Sequence, residues 1–109
     1  MKPWEIYSWQ APGWPAPHPA VIISEASRVA NKPAVNVLLC SSKEVKRAAG
    51  LTEVILDKSD GLDWPTLCKC DLIYSVEKAQ LSQHRGEVTV ERRRLIARKV
   101  IQCLAFADL

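Results

Sequence analysis

The sequence predicts a mainly β domain of the α+β class, in which five or six short strands form a small barrel and one amphipathic helix ends the chain. Three observations support this prediction. The chain has 109 residues, which is the length of a single domain. Its apolar stretches are short and separated by prolines, glycines and polar residues, as is typical of strands joined by turns. Only near the C-terminus does the apolar spacing change to the period of a helix.

The composition is that of an ordinary globular protein. Hydrophobic residues make up 48% of the chain and charged residues 25%, which excludes a disordered tail, a collagen-like chain and a coiled coil. The apolar runs, such as 20–23 and 37–40, fall far below the roughly 20 residues that cross a bilayer. The N-terminal residues also lack the apolar stretch of a signal peptide. We therefore expect a cytoplasmic protein that has no membrane partner.

Six segments are predicted as strands, in the following order. Trp4–Trp9 is rich in strand-forming residues and alternates in part, and the proline-rich segment after it excludes both a helix and a ladder. Buried strands are predicted next, with a polar loop at Glu25–Lys32 between them and a loop or short helix at Ser42–Gly50 after them. The five later predicted strands are Ala20–Ser24, Ala34–Ser41, Glu53–Asp57, Leu67–Val76 and Gly86–Thr89.

The C-terminal segment is predicted to be an amphipathic helix. Thr89 is a residue type that caps helix N-termini, and Glu91 in the first turn is favoured by the helix dipole. The apolar stripe that would face the barrel is formed by Ile96, Val100, Cys103 and Leu104.

The net charge of +3 is unevenly distributed. Cations are concentrated between Arg85 and Lys99, and a smaller cluster contains Lys43, Lys46 and Arg47. Such clusters attract phosphates or an acidic partner, and they are also typical of a solvated helix face. The charge pattern leaves both interpretations open.

The four cysteines do not predict a disulfide framework or a zinc site. A cytoplasmic chain rarely carries structural disulfides, and neither the cysteines nor the two histidines show the spacing of zinc ligands. We expect most of these thiols to be buried as small hydrophobic side chains. They are Cys40, Cys68, Cys70 and Cys103.

Four short motifs occur along the chain in a fixed order. They are Trp4-Glu5-Ile6-Tyr7, the run His18-Pro19-Ala20-Val21-Ile22-Ile23-Ser24, the run Val37-Leu38-Leu39-Cys40-Ser41-Ser42, and Cys70-Asp71-Leu72-Ile73-Tyr74-Ser75-Val76. In their order and spacing, these motifs resemble those of the PemK/MazF-type toxins of type II toxin–antitoxin systems. The resemblance extends over about residues 3–105.

This resemblance implies one SH3-like barrel domain over residues 1–109, with five to seven strands and an amphipathic C-terminal helix. It implies an mRNA interferase, which is an endoribonuclease that cleaves single-stranded RNA and needs neither a metal nor another cofactor. It also implies a homodimer, and a cognate antitoxin whose acidic or apolar tail fills the RNA groove.

The resemblance also indicates catalytic residues. His18 stands where the family has an arginine; imidazole is suited to acid–base work near neutral pH, but it lacks the bidentate fork that arginine offers to phosphate. Ser41 matches the family's catalytic threonine and keeps the hydroxyl donor; the alternative is a hydroxyl that only ends a strand. Lys69 and Asp71 match a cation and a carboxylate implicated in cleavage. They would share one strand face opposite Cys68 and Cys70, or form only a surface ion pair.

RNA-binding residues are expected around these four. Trp14, in the proline-rich loop, is a candidate stacking platform for a base, or it packs on the barrel or at a dimer interface. Four residues that follow Ser41 closely are candidates to guide the RNA backbone. Ser42, which is also the alternative to Ser41 if the alignment shifts by one, belongs to this group with Lys43, Lys46 and Arg47.

Metal-independent RNA cleavage uses the neighbouring 2′-hydroxyl as nucleophile, so it needs a base, an acid and charge stabilisation around the phosphoryl group. DNA lacks that hydroxyl and should survive. Two alternatives stay open because a fold does not determine function. One is a catalytically weakened member that binds RNA or an antitoxin without cleaving. The other is a toxin that acts on a protein target such as a topoisomerase.

Overall fold

The computed structural model describes residues 1–109, apart from the side chain of residue 107. Six strands, two α-helices and three short 3₁₀ turns follow one another. The strands are β1 (Glu5–Trp9), β2 (His18–Ile22), β3 (Ala34–Cys40), β4 (Glu53–Leu56), β5 (Thr66–Glu77) and β6 (Leu81–Glu87). The helices are α1 (Ala26–Asn31) and α2 (Val90–Cys103), and the 3₁₀ turns are Lys58–Asp60, Lys78–Gln80 and Ala105–Asp108.

All neighbouring strands pair antiparallel in one sheet, in the order β4-β5-β3-β2-β1-β6. The mainly β class, the number of strands and the C-terminal helix are confirmed. The word barrel describes the sheet only loosely, because β4 and β6 are edge strands that do not pair with each other in the described part of the chain.

Each face of the sheet carries a hydrophobic core and a helix. One core contains the fully buried Ile96 of α2, together with Cys40, Cys68 and Cys70. The other core contains Val29 of α1. Side chains alternate between the two faces along each regular stretch of strand, so within such a stretch the position of a residue tells which helix covers its side of the sheet. In β5 the alternation is interrupted, because Cys70 belongs to the first core and Leu72 packs against the second. The predicted burial of the thiols is confirmed for Cys40, Cys68 and Cys70, and Cys103 is half-buried.

Helix α2 follows the prediction at its start and departs from it at its end. The Thr89 side chain caps it by accepting from the Arg92 N–H at 3.4 Å. Val100 and Cys103 pack on the core with Ile96. Leu104 was predicted to share this stripe, but the helix ends at Cys103 and Leu104 has an extended backbone, which leaves it 36% exposed.

Two sequence predictions of secondary structure were wrong. A polar loop was predicted at 25–32, but this segment contains α1. The N-terminus of α1 is capped by Glu25, which accepts hydrogen bonds from the N–H groups of Ser27 and Arg28. Glutamate is uncommon as a helix cap. The sixth strand is Leu81–Glu87, earlier than the predicted Gly86–Thr89. It is a polar edge strand that pairs only with β1, so it lacks the apolar pattern of a buried strand.

A buried carboxylate joins the start of α2 to the turn after β4. The Asp60 side chain is fully buried and accepts from the N–H groups of Asp57 and Thr89, both at 3.0 Å. Arg92 contacts Asp60 and also donates two hydrogen bonds, of 2.7 and 3.0 Å, to Asp57. A Cβ at Gly86 would lie 2.0 Å from the Asp60 carbonyl oxygen, so this close approach requires glycine.

None of the helices in the described residues combines the length and the apolar character needed to span a membrane.

Candidate active site

His18 and Ser41 lie next to each other at the ends of two paired strands. The β2–β3 register pairs Ala20 with Leu39, and continuing this register by two residues places His18 opposite Ser41. The His18 Nδ1 atom is 3.0 Å from the Cys40 carbonyl oxygen. By alternation, both side chains lie on the α1 side of the sheet.

The contact with Cys40 determines which nitrogen of His18 is available. A carbonyl oxygen only accepts hydrogen bonds, so Nδ1 carries the proton in this contact. The neutral ring therefore has its lone pair on Nε2. The Trp14 ring lies beside the imidazole, with ring centroids 4.4 Å apart. His18 is thus oriented by a hydrogen bond and by an aromatic contact, as a proton acceptor must be.

The Ser41 hydroxyl takes part in the ladder between β3 and β5. The Ser41 N–H donates to the Leu67 carbonyl at 2.8 Å, and the Ser41 Oγ accepts from the Leu67 N–H at 3.0 Å. The hydroxyl proton is donated to the Lys43 carbonyl over a longer distance of 3.3 Å. This weak bond leaves the Ser41 proton available to a better acceptor. Ser42, the alternative candidate, is half-buried.

Lys69 belongs to a second group, formed around a carboxylate that the sequence analysis missed. The β4–β5 register pairs Glu53 with Lys69, and the Lys69 Nζ lies 3.8 Å from the Glu53 Oε2. Arg47 donates two hydrogen bonds to Glu53, of 2.8 and 2.9 Å. Glu53 was assigned only to a strand, because the pairing register that places it between two cations is not visible in the sequence.

The environment of Glu53 keeps it ionised. The hydrogen bond from Arg47 lowers the pKa of Glu53 to about 2, with further contributions from the Gly50 N–H and from the Arg47 and Lys69 charges. The group of Arg47, Lys69 and Glu53 therefore carries one net positive charge at neutral pH.

Asp71 does not join Lys69 in an ion pair in the described part of the chain, where Lys69 pairs with Glu53 instead. The β3–β5 register is irregular at this place, since Leu38 pairs with Ile73 and Cys40 with Cys68. A bulge of this kind disturbs simple alternation along a strand. Asp71 is exposed. The pKa of Cys103, at the end of α2, is raised mainly by the burial of its thiol and next by the negative charge of Asp71.

The loop between β3 and β4 presents the smaller basic cluster to solvent. Lys43 and Lys46 are exposed, and neither forms an ion pair with any described residue. Arg47, by contrast, is engaged with Glu53. The structure thus exposes two lysines in the loop that follows Ser41, with the exposed Glu44 between them in sequence. Within the described residues, no group of three or more His, Cys, Asp and Glu side chains is arranged to hold a metal ion.

The lowered pKa of Glu53 predicts a loss of stability in acid. A carboxyl whose pKa is lower in the folded than in the unfolded state stabilises the fold at neutral pH, and this contribution is lost as pH falls from about 4.5 towards about 2. We expect the urea midpoint of Glu53→Gln to fall less over this range than that of the wild type. Urea denaturation at several pH values measures it. Asp57, whose pKa Arg92 also lowers to about 2, remains in both proteins, and parallel pH curves would contradict the role given to Glu53.

Comparison with known proteins shows which family the chain matches. Residues 5–104 match the family model described as PemK-like, MazF-like toxin of type II toxin–antitoxin system. A search of curated proteins finds no match to the chain.

Solved structures show the same fold. An endoribonuclease in complex with its cognate antitoxin, from Mycobacterial species, has 21% identity and a TM-score of 0.81, covering 96% of this chain and 95% of that one. The Mycobacterium tuberculosis toxin MazF-mt6 has 18% identity and a TM-score of 0.76, covering 91% and 94%. A MazE–MazF structure from Deinococcus radiodurans has 14% identity and a TM-score of 0.74, covering 94% and 92%.

Proposed function

The chain belongs to the PemK-like, MazF-like toxins of type II toxin–antitoxin systems, and from this premise we propose that it is an endoribonuclease that cleaves single-stranded RNA without a metal or other cofactor. The observation that carries the proposal is the His18 imidazole, which is held by the carbonyl of Cys40, the residue that precedes Ser41. RNA cleavage of this kind would take place in the cytoplasm, where we expect the protein to be.

In the proposed reaction, His18 Nε2 takes the proton of the ribose 2′-hydroxyl. The 2′-oxygen forms a bond to phosphorus, and the bond from phosphorus to the 5′-oxygen breaks. The products are a 2′,3′-cyclic phosphate and a 5′-hydroxyl, whose oxygen takes up a proton. The Ser41 hydroxyl leaves the Lys43 carbonyl and donates to a phosphoryl oxygen, where negative charge develops.

Lys69 supports this reaction by its charge. It lies two residues beyond Leu67 on β5, and Leu67 is hydrogen-bonded to Ser41. Two residues of a strand span about 7 Å and return to the same face. We propose that Lys69 and Arg47 attract the phosphate, and that Lys69 is the donor for the leaving 5′-oxygen. We propose no proton transfer for Asp71, which forms an ion pair with neither Lys69 nor Arg47 in the described residues.

A second candidate function is favoured by one observation, namely the histidine in the place of the family's arginine. A neutral imidazole gives the phosphate less charge stabilisation than a guanidinium. The protein would then bind RNA or an antitoxin without cleaving.

Incubation of the purified protein with a long single-stranded RNA in EDTA separates the two functions. The nuclease proposal predicts RNA fragments, while single-stranded DNA of the same sequence stays intact. RNA that is bound but not cut would support the second candidate. Failure to bind or cut several unrelated RNAs would contradict the nuclease proposal and would leave only antitoxin binding from the second candidate.

We further propose that two copies associate through an apolar groove beside α2. The groove has a volume of about 250 Å³ and is lined by Trp4, Ile23, Ile96, Ala97, Val100 and Ile101. Exposed apolar side chains of the C-terminal end, Leu104 and Phe106, extend the apolar surface around α2. A symmetric dimer that buries this surface removes it from water.

Replacing Ile101, which is 52% exposed, by glutamate should convert this dimer to a monomer, because it places a charge in the apolar interface. Analytical ultracentrifugation measures the association, and circular dichroism checks that the fold is kept. Arg98→Glu, on the same helix outside the groove lining, is the matched control. A dimer of unchanged affinity in Ile101→Glu would rule out this surface.

We also propose a cognate antitoxin as partner. An acidic segment is complementary to the exposed Lys43 and Lys46 beside Ser41, so it would exclude RNA from the site. A short reading frame for an acidic protein directly upstream of the gene would support this proposal. Addition of its purified product should release bound RNA, and simultaneous binding of RNA and antitoxin would contradict the proposed overlap.

A further inference from the structure

Trp64 is the most exposed tryptophan in the structure. Its exposed fraction is 39%, whereas Trp9 is buried and Trp4 and Trp14 are half-buried. The backbone at Trp64 is held in place, because Thr66 Oγ1 donates to the Trp64 carbonyl at 3.0 Å. A large apolar ring kept at the surface on a fixed backbone is a suitable platform for a flat ligand.

The basic loop after β3 runs towards this tryptophan. Ser41 is hydrogen-bonded to Leu67, and the Val45 N–H donates to the Pro65 carbonyl at 2.8 Å. The loop therefore runs antiparallel to the segment that leads into β5. Continuing this course by one residue brings Lys46 alongside Trp64.

The distances suit a strand of RNA. Trp64 stands three residues before Leu67, which limits the separation of their backbones to about 10 Å. Lys43 and Lys46 lie along the same path and have no ion-pair partner among the described residues. Aromatic rings that alternate with free cations are the arrangement by which proteins hold single strands.

We propose that Trp64 is a second base-binding subsite, on which a nucleobase of single-stranded RNA stacks, and that Lys43 and Lys46 contact the phosphates between it and Ser41. This inference rests on the proposed function. The strand then passes from Trp14, beside His18, across Ser41 to Trp64. Single-stranded RNA is favoured over a protein ligand because the loop that is hydrogen-bonded to Pro65 carries Lys43 and Lys46, which form no ion pair with any described residue.

Binding of an uncleavable, 2′-O-methylated RNA tests the subsite independently of catalysis. For a strand of about ten nucleotides, Trp64→Ala should weaken binding about 5- to 100-fold, as expected for the loss of one stacked base. Trp64→Phe should recover most of this affinity. A dinucleotide is too short to reach Trp64 from Ser41, so its affinity should not change. Leu51→Ala, at an 89% exposed position before β4, is the control and should bind as the wild type does.

The salt dependence separates stacking from phosphate contact. Trp64→Ala should keep the wild-type slope of log affinity against log salt, whereas Lys46→Ala should reduce it by about 0.7. Wild-type affinity of Trp64→Ala for the longer RNA, or an equal loss for the dinucleotide, would overturn the subsite while leaving the nuclease proposal intact. A wild-type protein that binds no RNA would overturn both, and one that binds RNA without cutting it would overturn only the nuclease.

Discussion

Replacing His18 by alanine is expected to slow RNA cleavage by about 10²- to 10⁴-fold, the usual effect of removing a general base. The Nδ1 contact with Cys40 leaves Nε2 as the proton acceptor, and no other imidazole is placed beside Ser41 in the described structure. His84, the second histidine, contacts Glu5 at 3.1 Å and lies on the edge strand β6.

The assay should measure cleavage of single-stranded RNA in EDTA at saturating enzyme, so that weaker binding does not lower the rate. His18→Gln separates chemistry from structure, because its amide can donate to the Cys40 carbonyl but cannot take a proton at neutral pH. We expect it to be as slow as His18→Ala. Ser41→Thr, which keeps the hydroxyl, should stay active. Equal cleavage by the wild type and both His18 variants would remove His18 from the mechanism.

Replacing Arg92 by alanine is expected to destabilise the fold by about 3–5 kcal/mol, the range seen when one partner of a buried ion pair is removed. Asp60 is fully buried, and without Arg92 its charge would be compensated only by two backbone N–H groups. Domains of this size have total stabilities of about 5–15 kcal/mol, so the change is large enough to approach unfolding.

Urea denaturation measures this loss, and Arg94 provides the matched control. Arg94 is exposed and, like Arg92, lies in the first half of α2. Arg94→Ala should change the stability by less than about 0.5 kcal/mol. If the two alanine variants were equally stable, the account of the Asp57–Asp60–Arg92 contact would be wrong.

This contrast shows what charge patterning can and cannot predict. The sequence indicates a basic cluster from Arg85 to Lys99, but it does not say which cations are engaged. In the structure Arg92 is bound to Asp57 and Asp60, and Arg93 is bound to Glu87. The partners come from distant or separate segments, so only the folded chain distinguishes a structural cation from a free one.

Strands with a strong apolar pattern were predictable because burial sets their composition. The apolar runs of β2 and β3 predicted buried strands. The burial of Cys68 and Cys70 was predicted from the alternation of side chains along a strand. The edge strand β6 was misplaced since an edge needs no apolar pattern on both faces. The small helix α1 was missed because its cap is a glutamate.

The candidate site was predictable only in part. The family resemblance indicates His18 and Ser41, and in the structure His18 contacts the carbonyl of Cys40, the residue that precedes Ser41. Glu53 was missed because its place in the site depends on its cross-strand pairing with Lys69, which the sequence does not show. The expected pair of Lys69 and Asp71 assumed regular alternation, which the register shift between β3 and β5 interrupts. Local patterns therefore predict residue types at a site better than they predict its partners.

In the proposed reaction, His18 and Ser41 act on one ribose–phosphate unit through the ribose 2′-hydroxyl. A single 2′-deoxy nucleotide, placed at a mapped cleavage position in an otherwise natural RNA, tests it most directly in EDTA. We expect that binding is kept, that cutting at this position is abolished, and that the unmodified RNA yields ends with a 2′,3′-cyclic phosphate and a 5′-hydroxyl. Cutting at the deoxy position, or ends that carry a 5′-phosphate, would contradict it.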